Sequence, residues 1–448
     1  MKLRTKIILT VSVLLLVVLA FYAYNIYQNV MGNEVIEGTK DEIPKVSGEI
    51  PQITSEEDDW TNWRGENFKG KSKTKGIITD WSKGLKLLWT VDYLCLGNST
   101  ATWSAPVIKG NRLIIPGRDT KNDLVFCINT ETGKLIWTGS YTTESGTSHG
   151  PGARATAFID SVRVYTFGRS GDLVCWNLFD GKLLWRKNVK DFGGVEPDWG
   201  FASTPLVLDN KVFVQGGGTA TVLAFDKMNG ELIWKSLTGE SGYSAITFYT
   251  IENEKQLLVY HGTALSALNP ETGGEIWRQP WETSYFVNAS TPALENNILF
   301  HSSGYNMGGQ ALELKKETYK VLWKNKNISA QHSDPILIDG YIYSYSGESG
   351  NKRGLFKCVE LATGNEMWST KAIGQGTITY ADGYLICLDI SGNLHLVKPN
   401  PKQFEKIGEI LNAIPDVTHP AWTVPVIANG KLYLRYLQHL KCFDLKMQ

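Results

Sequence analysis

One phrase recurs along this chain: a small residue, an Asp or Asn, a glycine turn, and an apolar run that closes on tryptophan. Residues 224–234 give it in full as A-F-D-K-M-N-G-E-L-I-W. Other copies run from Cys127 through Gly133 to Trp137, from Cys175 through Gly181 to Trp185, from Ala267 through Gly273 to Trp277, and from Cys358 through Gly364 to Trp368. Two copies have drifted. The one from Ala311 to Trp323 is two residues longer and has Tyr319 where glycine is expected, and the one near Phe404 has Ile407 in place of Trp. Successive tryptophans from Trp89 to Trp368 lie 48, 48, 49, 43, 46 and 45 residues apart. A fixed period in the forties with strand-like content is the signature of a β-propeller.

Each unit reads as four antiparallel strands. A Ser/Thr-x-Pro signal opens it, as at Ser104-Ala-Pro106, Ser203-Thr-Pro205, Ser290-Thr-Pro292, Ser333-Asp-Pro335 and Thr423-Val-Pro425. Proline is tolerated at a strand's first residue, where its missing N–H is not needed. Asp or Asn turns then reverse the chain, and glycine accepts the positive φ of the turn before the last strand. Counting units predicts an all-β, eight-bladed propeller. The last unit supplies three strands before the chain ends, so the orphan strand at 85–91 is expected to be its fourth and to close the ring, hiding sheet edges. Each Trp is expected to pack against the neighbouring blade and donate its N–H to a backbone carbonyl.

These repeats resemble the tryptophan-docking motif of the quinoprotein-like (PQQ-like) β-propeller superfamily over residues 60–448. That superfamily includes quinoprotein dehydrogenases and the outer-membrane assembly lipoprotein BamB. The leading segment Trp60-Thr-Asn-Trp63-Arg64-Gly65 is similar to bacterial PQQ-like repeat proteins. The repeat implies the fold, not the cofactor in its name. The dehydrogenase branch implies PQQ over a Ca²⁺ site, stacked on a Trp, often against a disulfide of adjacent cysteines. Trp199 matches a stacking platform and Asp198 a base or Ca²⁺ ligand, but this chain has no adjacent cysteines and no matching set of carboxylates in the other inner loops.

Lys2, Arg4 and Lys6 precede an uncharged stretch at 7–24. A basic start before an apolar run of this length reads as a single-pass transmembrane anchor over 7–27. Basic residues stay inside, which predicts a propeller on the extracytoplasmic side of a bacterial cell membrane. Residues 28–59 are acidic and poor in large apolar residues, so they read as a solvated linker. Acidic and basic residues balance at 45 each, which argues against a nucleic-acid surface. Of six cysteines, Cys127, Cys175, Cys358 and Cys442 occupy the repeat's small-residue slot and are expected to be buried and unbridged.

Loops entering the innermost strands should crowd around one mouth of the central channel. They carry Trp103, His149, Arg154, Asp198, Trp199 and Tyr243, then His332, His419 and Trp422, with Phe201, Phe286, Asn288 and Gln331 nearby. An aromatic, concave mouth with a few polar groups is a ligand site by default. The same rings could instead fill the narrow end of the channel. The three histidines lack the short spacing of a zinc site, and no G-x-S-x-G, P-loop or H-E-x-x-H is present. The sequence therefore favours a non-catalytic binding or scaffold module, with a protein partner or a sugar ligand and no cofactor. A PQQ- and Ca²⁺-dependent dehydrogenase of alcohols or sugars is the alternative.

Overall fold

The computed structural model describes residues 58–348 and 354–446. The expected anchor at 7–27 and nearly all of the linker at 28–59 lie outside the described residues. Among the described residues, no helix is long and apolar enough to cross a membrane.

Eight four-stranded antiparallel sheets form the propeller. Seven blades are contiguous in sequence: 107–142, 158–188, 206–236, 247–280, 293–325, 336–370 and 376–410. The eighth takes three strands from the C-terminal end and its outer strand, Leu87–Val91, from near the front. That strand pairs antiparallel with His439–Asp444, setting Trp89 opposite Cys442. The predicted closure is borne out, starting two residues later than expected.

Pairing explains the composition of the repeat. The small residue of each copy lies directly across from its Trp, as with Cys127 and Trp137, Ala224 and Trp234, or Cys358 and Trp368. A larger side chain there would collide with the indole. The pairing slips by one residue immediately afterwards, a bulge that twists the outer strand. The tryptophans stand inside the outer strands rather than at their ends; Trp137 is the third residue of Leu135–Thr142. All six cysteines are buried and unbridged.

Each indole docks onto the next blade. Six donate Nε1–H to a carbonyl there: Trp89 to Thr130, Trp137 to Leu178, Trp185 to Lys227, Trp234 to Pro270, Trp323 to Leu361 and Trp368 to Asn400, all at 2.8–3.2 Å. The turn glycine lies beneath the ring. At Gly181, with φ +71°, an added Cβ would stand 2.4 Å from the Trp137 ring. Where glycine is replaced by Tyr319, Trp277 meets a phenol ring at 5.0 Å and its Nε1 makes no bond to a carbonyl of the next blade. Gly181→Ala combines left-handed backbone with a clash, so it should cost about 2–3 kcal/mol. Thermal or urea unfolding of that variant beside Gly340→Ala, whose Cβ would meet nothing within 4 Å, separates the clash from the backbone cost.

A strap formed by residues 58–80 crosses the end of the channel where the inner-strand hairpins turn. Trp60 exchanges two backbone hydrogen bonds with Ile108 of blade 1. Thr61 O accepts from Ile159 N of blade 2, and Ser72 N and Gly70 O bond the backbone of Tyr380 in blade 7. Asp58 accepts from Asn429 N in blade 8, and Asp59 from Gly110 N in blade 1. The strap thus ties together inner strands that are otherwise held only by their neighbours.

Candidate functional site

The strap delivers Trp63 to the channel axis. Its Nε1–H donates to Thr291 Oγ1 at 3.0 Å and Asp334 Oδ2 at 2.9 Å, on the loops entering blades 5 and 6. Arg64, 3% exposed, lies 3.5 Å from Asp334 Oδ2 and donates to the carbonyl of Pro335. Thr291 N donates to the other Asp334 oxygen at 2.6 Å. Asp334 is therefore a buried carboxylate with both oxygens occupied, as a buried charge requires. Together these groups floor a cavity of about 320 Å³ that opens toward the predicted mouth.

Two aromatic clusters form its walls. On one side Trp422 stacks on His332 at 5.7 Å with an 11° interplanar angle, and meets Trp103 and His149 edge-on at 4.8 and 5.8 Å. On the other side Trp199 contacts Tyr243 and Tyr285, both at 5.8 Å, and Tyr285 contacts Tyr305. Trp422 Nε1 has no hydrogen-bond acceptor.

Arg154 lines the same cavity. Its Nη atoms donate to the carbonyls of Ser148, Gly150 and Gly152, which fix the guanidinium plane. Among the described residues, no carboxylate stands within ion-pair distance of it. Its neighbour Arg169 is neutralised by Glu196 at 2.7 Å. Burial, with Arg169 adding to it, pushes Arg154 down to about 9, so it stays charged near neutrality. Burial lowers His149, with Arg154 reinforcing the effect, and also lowers His419. His332 is lowered too, by desolvation within the mouth and by His149 nearby. At neutral pH the mouth thus presents neutral imidazoles around one uncompensated cation.

Trp103, His149, Arg154, Trp199, Tyr243, His332 and Trp422 all line the cavity, as the sequence suggested. Two of the anticipated residues do not. His419 stands behind the wall, edge-on to Trp103 at 6.4 Å, and Asp198 is exposed to solvent while its neighbour Trp199 turns inward. Asn288 is a structural residue: its Nδ2 donates to the carbonyls of His261, Gly262 and Trp281. Phe201 is buried against Phe167. Sequence reading missed Asp334 and the part played by Trp63. The signal was present in Ser333-Asp-Pro335, which carries a charge where the other four openings have Ala105, Thr204, Thr291 and Val424.

Comparison with known proteins decides the family. The family described as outer membrane protein assembly factor BamB (PQQ_2) matches residues 121–370, more than half of the chain. The chain belongs to this family. A curated relative, the outer membrane protein assembly factor BamB of Shewanella oneidensis, is 24% identical over 334 residues, covering 68% of this chain and 75% of its own length. The crystal structure of BamB from Moraxella catarrhalis aligns with TM-score 0.58 at 14% identity, over 81% of this chain and all of that one. A quinohemoprotein alcohol dehydrogenase from Comamonas testosteroni aligns with TM-score 0.61 at 13% identity, over 87% of this chain and 81% of that one. At such identities the two solved structures show the shared fold alone.

The donor set speaks to the cofactors of the dehydrogenase branch. Calcium takes six to eight oxygen ligands. The cavity's carboxylate, Asp334, is already held by Trp63, Thr291 and Arg64. Among the described residues, no group of three or more His, Cys, Asp or Glu is placed to hold a metal ion. The residues lining this cavity do not fit a calcium-bound quinone.

Proposed function

We propose that this chain is a membrane-tethered, extracytoplasmic propeller that binds without catalysing, a scaffold of the assembly-factor kind whose channel mouth holds a carbohydrate. The cavity carries this reading: two aromatic walls that suit the faces of sugar rings, a floor closed by Trp63, and Arg154 with no opposing acid. The named assembly-factor relatives support the scaffold part, and the basic, apolar N-terminal stretch supports the tether.

Trp199→Ala and Trp422→Ala should each weaken sugar binding about tenfold, ~1.4 kcal/mol, while the melting temperature moves little. Titration of intrinsic fluorescence with a panel of neutral and acidic oligosaccharides reads the first, and calorimetry the second. A large loss of melting temperature with no bound sugar at any concentration would mean that the rings only pack the channel. A pull-down from membranes with the full chain tests the scaffold part. The likeness to quinohemoprotein alcohol dehydrogenase favours one rival, which dye reduction in the presence of PQQ, Ca²⁺ and alcohols or sugars would reveal. None is expected.

A further inference from the structure

The repeats serve as one another's controls at the hairpin end of the ring. The first turn of each blade has a second residue that is Asn or Gly in seven blades: Asn111, Asn210, Asn253, Asn297, Gly340, Gly383 and Gly430. In blade 2 it is Val162, 47% exposed. The third residue of the Asx turn before the outer strand is Glu131 in blade 1 and Glu271 in blade 4. In blades 2 and 3 it is Phe179 and Met228, 41% and 55% exposed. The substitutions are confined to two adjacent blades and to one face. Leu178 N donates to Val162 O at 2.9 Å, and Arg163 Nη1 to Met228 O at 3.4 Å, so the three tips form one patch. No turn geometry calls for a large apolar residue at these positions: blades 1 and 4 make the outer turn with Glu131 and Glu271, and blade 6 makes it with the small Ala362.

Cations border the patch. Lys109 Nζ donates to Ser161 O, beside Val162, at 2.8 Å. Arg163 adjoins Met228, and the exposed Lys182 follows Phe179 by three positions. Among the described residues none of these three has a carboxylate within ion-pair distance. Lys227 and Asp160 neutralise each other at 2.7 Å. The acids left outside ion pairs are Asp180 and Asp226, each of which accepts backbone N–H groups of its own turn, and the exposed Glu231. The strap enters the ring on this same face, where Asp58 and Asp59 hold the hairpins of blades 8 and 1. The uncharged stretch at 7–24 lies upstream of that entry point.

We propose that the hairpin face of blades 2 and 3 rests on an anionic lipid surface, with Val162, Phe179 and Met228 entering the interface and Lys109, Arg163 and Lys182 meeting the headgroups. Apolar tips with the unpaired cations Lys109 and Arg163 alongside suit such a surface. The tips are convex and separate, which fits a deformable bilayer better than a preformed protein pocket. Three side chains are too few for stable anchoring alone, but a tether raises their effective concentration at the membrane. The contact thus extends the tethered reading above, and it orients the ligand mouth away from the bilayer.

Because all six native cysteines are buried, single surface thiols can be labelled selectively. Nitroxide would be placed on Met228→Cys, Phe179→Cys and, as the matched control, Glu271→Cys in the full chain reconstituted with vesicles. In vesicles containing anionic lipid, collision with a water-soluble nickel complex should drop severalfold at 179 and 228 and stay unchanged at 271. In purely zwitterionic vesicles the difference should largely disappear. Protein that floats with vesicles while all three labels remain equally wet overturns the contact and leaves the tether standing. Shielding that is equal in both lipids overturns the anionic assignment. A chain that does not float with vesicles overturns both. Shielding at 228 only after addition of an acidic protein extract, without lipid, would assign the patch to a protein instead.

Discussion

Trp89→Ala will loosen the ring at its seam. The indole is 9% exposed, lies 6.0 Å from the ring of Tyr433, and donates to Thr130 O of blade 1 at 2.9 Å. It also covers Gly133, where an added Cβ would stand 2.9 Å from the ring. Truncating a buried Trp costs about 3–5 kcal/mol through lost burial and the cavity left behind. For a ring of this size that is roughly a 5 °C fall in melting temperature if unfolding is two-state. Trp89→Phe keeps most of the apolar contact and loses the N–H, so it should cost only about 1 kcal/mol. The seam makes a more specific demand. Leu87–Val91 is held to the last blade by one pairing, so amide exchange should accelerate along Leu440 to Phe443 before it does elsewhere. Unchanged melting and unchanged exchange in Trp89→Ala would mean that the docked tryptophan does not hold the closure.

Acidification is expected to remove several kcal/mol of stability between pH 6.5 and 4. His261 and His301 are each 1% exposed. Burial, reinforced by Arg278, pushes His261 down to about 4, and burial, reinforced by Lys324, pushes His301 down to about 3. Both are neutral in the folded protein and have an ordinary value near 6.5 when unfolded. Below that value the unfolded chain binds protons that the folded chain does not, so stability falls as pH falls until the folded value is reached. Each histidine then contributes a loss of roughly 3 kcal/mol at pH 4. His301→Phe isolates its share. The ring sits among Tyr260 at 5.3 Å and Trp281 at 4.7 Å, and its one polar side-chain contact, with Gln310, is poorly aligned for a hydrogen bond. A benzene ring should therefore fit near neutral cost at pH 7 and flatten the acid slope. Urea midpoints across pH 4–7.5 measure both, and parallel curves for the two proteins would refute the assignment.

The blade count, the closing strand and the docking of each Trp were legible because they repeat. Each copy of the phrase reports the same local geometry, so the Gly-to-Trp spacing fixes the register of the whole ring. The mouth was only partly legible. Aromatic residues just before each inner strand pointed inward often enough to outline the cavity, yet Asp198 and Trp199 face opposite ways in a loop without periodicity. The floor was hidden for a different reason. Trp63 and Asp334 are 271 residues apart, and nothing in either local sequence names the other. The segment Trp60–Gly65 occurs once, so no second copy exists to expose its pattern.

The pairing of Leu87 with Phe443 sets a timetable for synthesis. At roughly 5–20 residues per second, the strand made early waits tens of seconds for the one made last. During that interval the nascent chain carries bare sheet edges at both of its ends, open to pairing with other molecules. A chain stopped short of blade 8 lacks the strand that Leu87–Val91 pairs with, so its first-made edge stays open.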